Sequence, residues 1–265
     1  MNMIETFTPE QIAVIAQDQQ RIPSANDLFV RYDDHMAMLA AASGDADPTF
    51  LPRARETSRT VSASLLPFQV TYKLPADEDA YLAHDPGGKV RIGIESDVDG
   101  GAYFSPCGRH RHLLWRFWKD GVTRPGFVFW IGMNPSTADA SVDDPTVKKE
   151  RKFTKRWGYG GYVKANVMDY RATDQKRLMD PGVIPCTDHN LEVIGEIAAQ
   201  AELVVLAFGS PHKKLHRHGE NVVKLLHELG KPMHCLALTK EGLPGHPLYL
   251  KDTSELMPFP VRYAA

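Results

Sequence analysis

Four apolar runs, Phe127–Ile131, Tyr162–Val167, Leu203–Phe208 and His234–Leu238, limit what the C-terminal half of this chain can become. Each is short enough for a strand and mostly apolar, the pattern of a strand buried on both faces. Helical stretches separate them at about 145–157, 188–201 and 219–229, with Gly230 and Pro232 stopping the last. Strand, loop and helix in alternation predict an α/β fold: three layers, α/β/α, around a four-stranded, mainly parallel sheet. A short antiparallel β element precedes it. Lys89–Ile94 alternates, Asp99-Gly100-Gly101 reads as a turn, and Ala102–Phe104 and Leu113–Trp118 follow as strands.

The N-terminal part differs in character. Thr8 as N-cap with Pro9 at the first helical position predicts one helix, and a second starts near Ser24 or Asn26 and runs through Asp27–Ala42. Prolines and serines punctuate residues 44–80, yet Leu65, Leu66, Phe68 and Val70 predict that this stretch packs on something. We therefore divide the chain into a helical N-terminal extension and linker, 1–80, and an α/β domain, 81–265. The apolar runs are too short to span a bilayer, which takes roughly 18 residues, and the N-terminus lacks a signal-peptide layout. Cys107, Cys186 and Cys235 are odd in number and form no CxxC pair, unlike a disulfide framework or a cysteine zinc site. Together these features predict a cytoplasmic protein with reduced thiols and no cofactor or metal. A net charge of −2 confines nucleic-acid binding to a local patch.

Ligands of open α/β sheets sit at the carboxyl ends of the strands. Gly132-Met133-Asn134-Pro135-Ser136-Thr137-Ala138-Asp139 follows the first run, and the second closes on Asn166, with Arg171 shortly after. The third delivers Gly209-Ser210-Pro211-His212, and the fourth leads to Thr239-Lys240 and Gly245-His246-Pro247. Asn134 and Asn166 offer both donors and an acceptor, which suits the edge of a nucleobase.

These strand ends resemble the uracil-DNA glycosylase superfamily in four motifs. They are Gly132-Met133-Asn134-Pro135, Asn166 at the end of the second strand, Phe208-Gly209-Ser210, and His246-Pro247-Leu248, where Leu248 replaces a serine. Residues from about Tyr103 to Pro258 more closely resemble the family called domain of unknown function 1643. That likeness rests on Phe104-Ser105-Pro106-Cys107-Gly108, Met133–Asp139, Asp143-Asp144-Pro145-Thr146, Arg156-Trp157-Gly158-Tyr159-Gly160 and His246-Pro247-Leu248-Tyr249-Leu250.

The glycosylase resemblance implies hydrolysis of the N-glycosidic bond of a pyrimidine in DNA or a nucleotide. Asn166 would read the base, His246 would donate to it, and Asn134 would position the attacking water. Asn134 has no basic pKa, so it orients a water without taking its proton. Asp139, Asp143 and Asp144 are candidate carboxylates, although Asp144-Pro145-Thr146 also reads as a helix start. Gly132, Met133, Pro135, Ser136, Thr137, Asp139, Arg171, Gly209, Ser210, Lys240 and Tyr249 complete the expected substrate-binding set. Ser136 is small where uracil-specific members carry a bulky residue, which implies room for thymine or a 5-modified base. Leu243, Leu248 and Tyr249 are candidates to replace a flipped base.

Lys148, Lys149, Arg151, Lys152, Lys155 and Arg156 form a local basic patch able to contact phosphates of DNA or a nucleotide. His212, His216 and His218 are interleaved with Lys213, Lys214 and Arg217 and read as an exposed basic loop rather than a metal site. Two other functional classes compete with the enzyme. One is a non-catalytic nucleic-acid or nucleotide binder on the same fold; the other is an interaction protein docking through residues 1–45. The sequence leaves the oligomeric state open.

Overall fold

The computed structural model describes Phe68, Leu82 and residues 84–261, all within the compact unit Arg59–Ala265. The helices expected at 1–45 lie outside the described residues. The first three apolar runs become strands β4 (Val128–Gly132), β6 (Gly161–Asn166) and β7 (Leu203–Leu206); of the fourth only His234 and Cys235 are strand, in β8 (Met233–Cys235). These four strands are mutually parallel and lie in the order β6-β4-β7-β8.

The sheet is larger than the four strands expected, and it is mixed. The strands β2 (Asp99–Phe104) and β3 (Arg111–Phe117) extend it antiparallel beyond β6, and β9 (Met257–Pro258) pairs antiparallel with β8, giving seven strands. The antiparallel element is thus one edge of the same sheet, because β3 is itself buried along Arg111–Arg116 and needs covering neighbours. Asp99-Gly100-Gly101, read as a turn, is strand. A Cβ on Gly101 would stand 2.1 Å from the Trp115 ring opposite, so the glycine makes room for its cross-strand partner. Of Lys89–Ile94 only β1 (Ile92–Gly93) is strand, paired with β5 (Val142–Asp143).

Alternation along the strands feeds two cores. Phe129, Ile131, Val163, Ala165, Val204 and Leu206 pack with Val193, Ile194 and Ile197 of helix α2 (Asp188–Gln200) and with Val222 and Leu226 of helix α3 (His216–Glu228). Val128, Trp130, Tyr162 and Val205 pack with Val147 and Phe153 of helix α1 (Pro145–Arg156). Helices therefore cover both faces. Phe68 is buried against Trp115, Phe117 and Phe127, and Trp118 is also core.

Helix α1 matters most for the site. Asp144 caps it by accepting from the Val147 N–H at 2.9 Å, Pro145 follows, and Gly158 ends it with φ +82°. Trp130 Nε1 donates to Thr154 at 3.0 Å and Tyr162 OH to the Val147 carbonyl at 3.1 Å, bonding the helix to β4 and β6. No helix among the described residues is long and apolar enough to cross a membrane.

Candidate functional site

The chain lays down β4, then β6 on one side of it, then β7 on the other. In open α/β sheets such a reversal is where ligands bind, outside the carboxyl ends of the strands. Gly132 and Asn166 are register partners there. Beyond them, Val167 N–H bonds the Gly132 carbonyl at 2.9 Å and Met168 N–H the Met133 carbonyl at 3.0 Å, so the two strand-end loops run side by side.

Asn166 is buried and its amide is oriented. Its Oδ1 accepts from Arg111 Nη2 at 3.3 Å, and a guanidinium has only donors, so the oxygen faces Arg111 and Nδ2 faces the other way. Nδ2 stands 2.7 Å from where a Cβ on Gly132 would be, with Lys164 Nζ 2.9 Å from the same point. Gly132 is what lets these two polar heads converge. The Asn166 backbone carbonyl is equally fixed: Asn190 Nδ2 donates to it at 2.8 Å.

His246 approaches over Gly209. A Cβ on Gly209, whose φ is +65°, would lie 3.1 Å from His246 Cβ and 3.8 Å from Met133 Cε. Burial and then the Lys164 charge push the His246 pKa down to about 4, with Asp144 opposing. The ring is therefore neutral near pH 7. Its Nδ1 accepts from the Leu248 N–H at 3.4 Å, which puts the proton on Nε2 as a donor. Tyr249, 83% exposed, packs its ring 5.5 Å from that of His246, and Leu248 is exposed beside it.

Sequence reasoning passed over three of the groups gathered here. Lys164 and Glu150 form a buried ion pair, and burial raises the Glu150 pKa against the opposing pull of Lys164. Arg111 is buried too; burial lowers its pKa to about 10, leaving it charged at neutral pH, and its Nη1 donates to the Ala138 carbonyl at 2.7 Å. A visible signal existed for Lys164, since an ionisable residue inside a mostly apolar buried strand needs a partner and a reason.

Other expected residues serve the loops. Asn134 Nδ2 donates to the carbonyls of Ala172 at 2.6 Å and Pro135 at 3.0 Å, leaving Oδ1 without a partner among the described residues. Ser136 bonds Thr173 at 2.8 Å, Thr137 bonds the Val90 carbonyl at 2.8 Å, and Asp139 accepts from Ser141 and Val142 in a tight turn. Arg171 is buried, donates to the Gly108 carbonyl at 2.8 Å and stacks on Phe104. Pro135 accepts from Ala172 N–H through its carbonyl at 2.8 Å. Ser210 and Lys240 are exposed. Asp143 is taken by Arg116 at 2.8 Å.

The basic patch is largely answered by carboxylates. Asp252 pairs with Lys149 and lies 3.7 Å from Lys152; Arg156 bonds the Asp252 and Ser254 carbonyls and approaches Glu255 at 3.6 Å. Arg151 is buried on Glu95 at 2.7 Å, and Lys155 lies over Trp118 at 5.2 Å. Lys148 has no charged partner among the described residues. His212 caps the turn Lys213–Leu215, His216 starts α3 and His218 is buried, so the three histidines do not share one loop.

The family described as "Protein of unknown function (DUF1643)" matches residues 111–248, from the start of β3 to Leu248. No curated protein and no solved structure matches the chain.

Proposed function

The chain belongs to the family described as protein of unknown function (DUF1643), and from its strand-end geometry we propose that it recognises a nucleobase and hydrolyses its N-glycosidic bond. The reaction resembles that of uracil- and thymine-DNA glycosylases, on a pyrimidine, plain or modified, in DNA or in a nucleotide. The observation that carries this reading is the convergence of Asn166 Nδ2 and Lys164 Nζ over Gly132 at the carboxyl ends of parallel strands, with the neutral His246 close enough to feel the Lys164 charge.

Each group has a task in that reaction. Asn166 grips the base edge with its Nδ2 hydrogens, and the second lone pair of Oδ1 remains able to accept. His246 donates from Nε2 to an oxygen of the base on which negative charge develops. Asn134 Oδ1 accepts from a water and aims it at the sugar; with no carboxylate bonded to Asn134, attack waits for an oxocarbenium-like sugar, and the reaction is slow. A base in duplex DNA would have to flip out to reach these strand ends.

The test is release of free base from oligonucleotides carrying uracil, mismatched thymine or 5-modified pyrimidines, and from the matching nucleotides. Release that Asn166→Ala and His246→Ala abolish supports the reading, and absence of release from every substrate removes it. One observation favours a non-catalytic binder instead: the Asn134 amide nitrogen is held by two loop carbonyls. That reading predicts binding that Asn166→Ala weakens, with no turnover.

A further inference from the structure

Lys164 lies in a strand whose six residues are all buried, and it is itself only 4% exposed. An unpaired ammonium at such a place is very costly, and Glu150 of α1, fully buried, answers it. A strut between helix and sheet would explain the pair, but that strut already exists without charge in the bonds from Trp130 to Thr154 and from Tyr162 to Val147. Two features point elsewhere. Lys164 Nζ is directed over Gly132, into the space it shares with Asn166 Nδ2. The pairing is also incomplete: Glu150 Oε2 has no hydrogen-bond partner, and among the described residues Glu150 is the only acceptor for the three ammonium hydrogens.

We propose that Lys164, held in place by Glu150, is the cation of the strand-end site, which takes a ligand group that carries or acquires negative charge. Its place in catalysis rests on the reading of the site as a glycosylase; the cationic character does not. In that reaction the C1′–N bond breaks with its electron pair going to the base nitrogen, and the water oxygen bonds C1′. The proton lost by the water ends on the base. Lys164 keeps its own proton throughout and donates a hydrogen bond to the base oxygen where charge collects. Asn166 and His246 are neutral donors, so the charge-assisted bond is the strongest of the three.

Lys164→Met alone would strand the Glu150 carboxylate, so the informative variant is Lys164→Met with Glu150→Met, which refills the space with apolar groups. Lys164→Gln with Glu150→Gln, which keeps a hydrogen bond without charge, is the second variant, and thermal melting checks both. The binding probes are 5-nitrouracil, an anion at about pH 8, and uracil, neutral there, measured by calorimetry. We expect the wild type to bind the anion about 10-fold or more tighter than uracil, and the double variants to lose that preference. On a substrate that releases base, kcat falls about 100-fold in the double variants while KM stays within about threefold. Folded double variants that keep both the anion preference and kcat overturn the proposal. A wild type that prefers the anion but releases no base removes the hydrolytic reading and keeps the cationic site. A wild type that releases base, with unimpaired double variants, does the reverse.

Discussion

Arg111 Nη2 donates to Oδ1 of Asn166 at 3.3 Å, and that bond decides which way the Asn166 amide faces. Because the same guanidinium holds the Ala138 carbonyl through Nη1, one buried side chain sets both the Asn166 amide and the loop after β4. Arg111→Met removes both bonds. We expect it to cost about 2 kcal/mol of stability, the scale of hydrogen bonds to a charged group, and to weaken ligand binding about 10-fold by letting the amide turn. Denaturant melts and calorimetry separate the two effects. Unchanged affinity in the folded variant would contradict this role.

Gly132→Ala tests the convergence at the site. The added methyl would stand 2.7 Å from Asn166 Nδ2 and 2.9 Å from Lys164 Nζ. Overpacking of this kind costs about 1–3 kcal/mol, and the displaced amide lowers affinity. Gly93→Ala, where nothing lies within 4 Å, is the control and leaves both nearly unchanged. Equal behaviour of the two variants in melting and binding assays contradicts the geometry.

The pKa of His246 gives a sign for pH dependence. Its folded value, about 4, lies below the ordinary 6.5. Between these values the unfolded chain binds more protons, so stability falls as pH drops through that window. His246→Gln removes this part of the pH dependence, measurable as a flatter melting temperature against pH. In activity, the acid limb owed to His246 lies near pH 4 rather than 6.5. A limb at the ordinary histidine value that vanishes in His246→Gln contradicts the lowered pKa.

Asp252 holds the basic patch. Lys149 is its main partner and keeps its carboxyl below the usual range. Asp252→Asn frees Lys149 and Lys152 for phosphates. If DNA lies along this face, the variant binds single-stranded DNA more tightly at low salt. Its log–log salt slope then steepens by roughly 0.7 for each further phosphate that a freed lysine neutralises. Fluorescence anisotropy with no change in slope contradicts the patch as a DNA-binding face.

Much of the fold is legible in the residues. The mostly apolar runs contributed β4, β6, β7 and part of β8 because such stretches fit a doubly covered strand position, and Asp144-Pro145 and Gly230 mark helix ends through local chemistry. What escaped is non-local. The partners Arg111 and Asn166 are 55 positions apart, and Asn134 spends its amide on Ala172, 38 positions away. Nothing in local periodicity encodes such pairs. Gly100 and Gly101 imitate a turn because the large side chains that exclude a Cβ there, Arg116 and Trp115, sit on the neighbouring strand. Lys164 hid in an apolar run until Glu150 gave it a partner.

Chromatographic detection of free base from the pyrimidine panel, with wild type, Asn166→Ala and His246→Ala side by side, tests the central claim most directly. The account predicts slow release by the wild type and at least about 100-fold less from each variant. No free base from any oligonucleotide or nucleotide, or release that both variants leave intact, contradicts it.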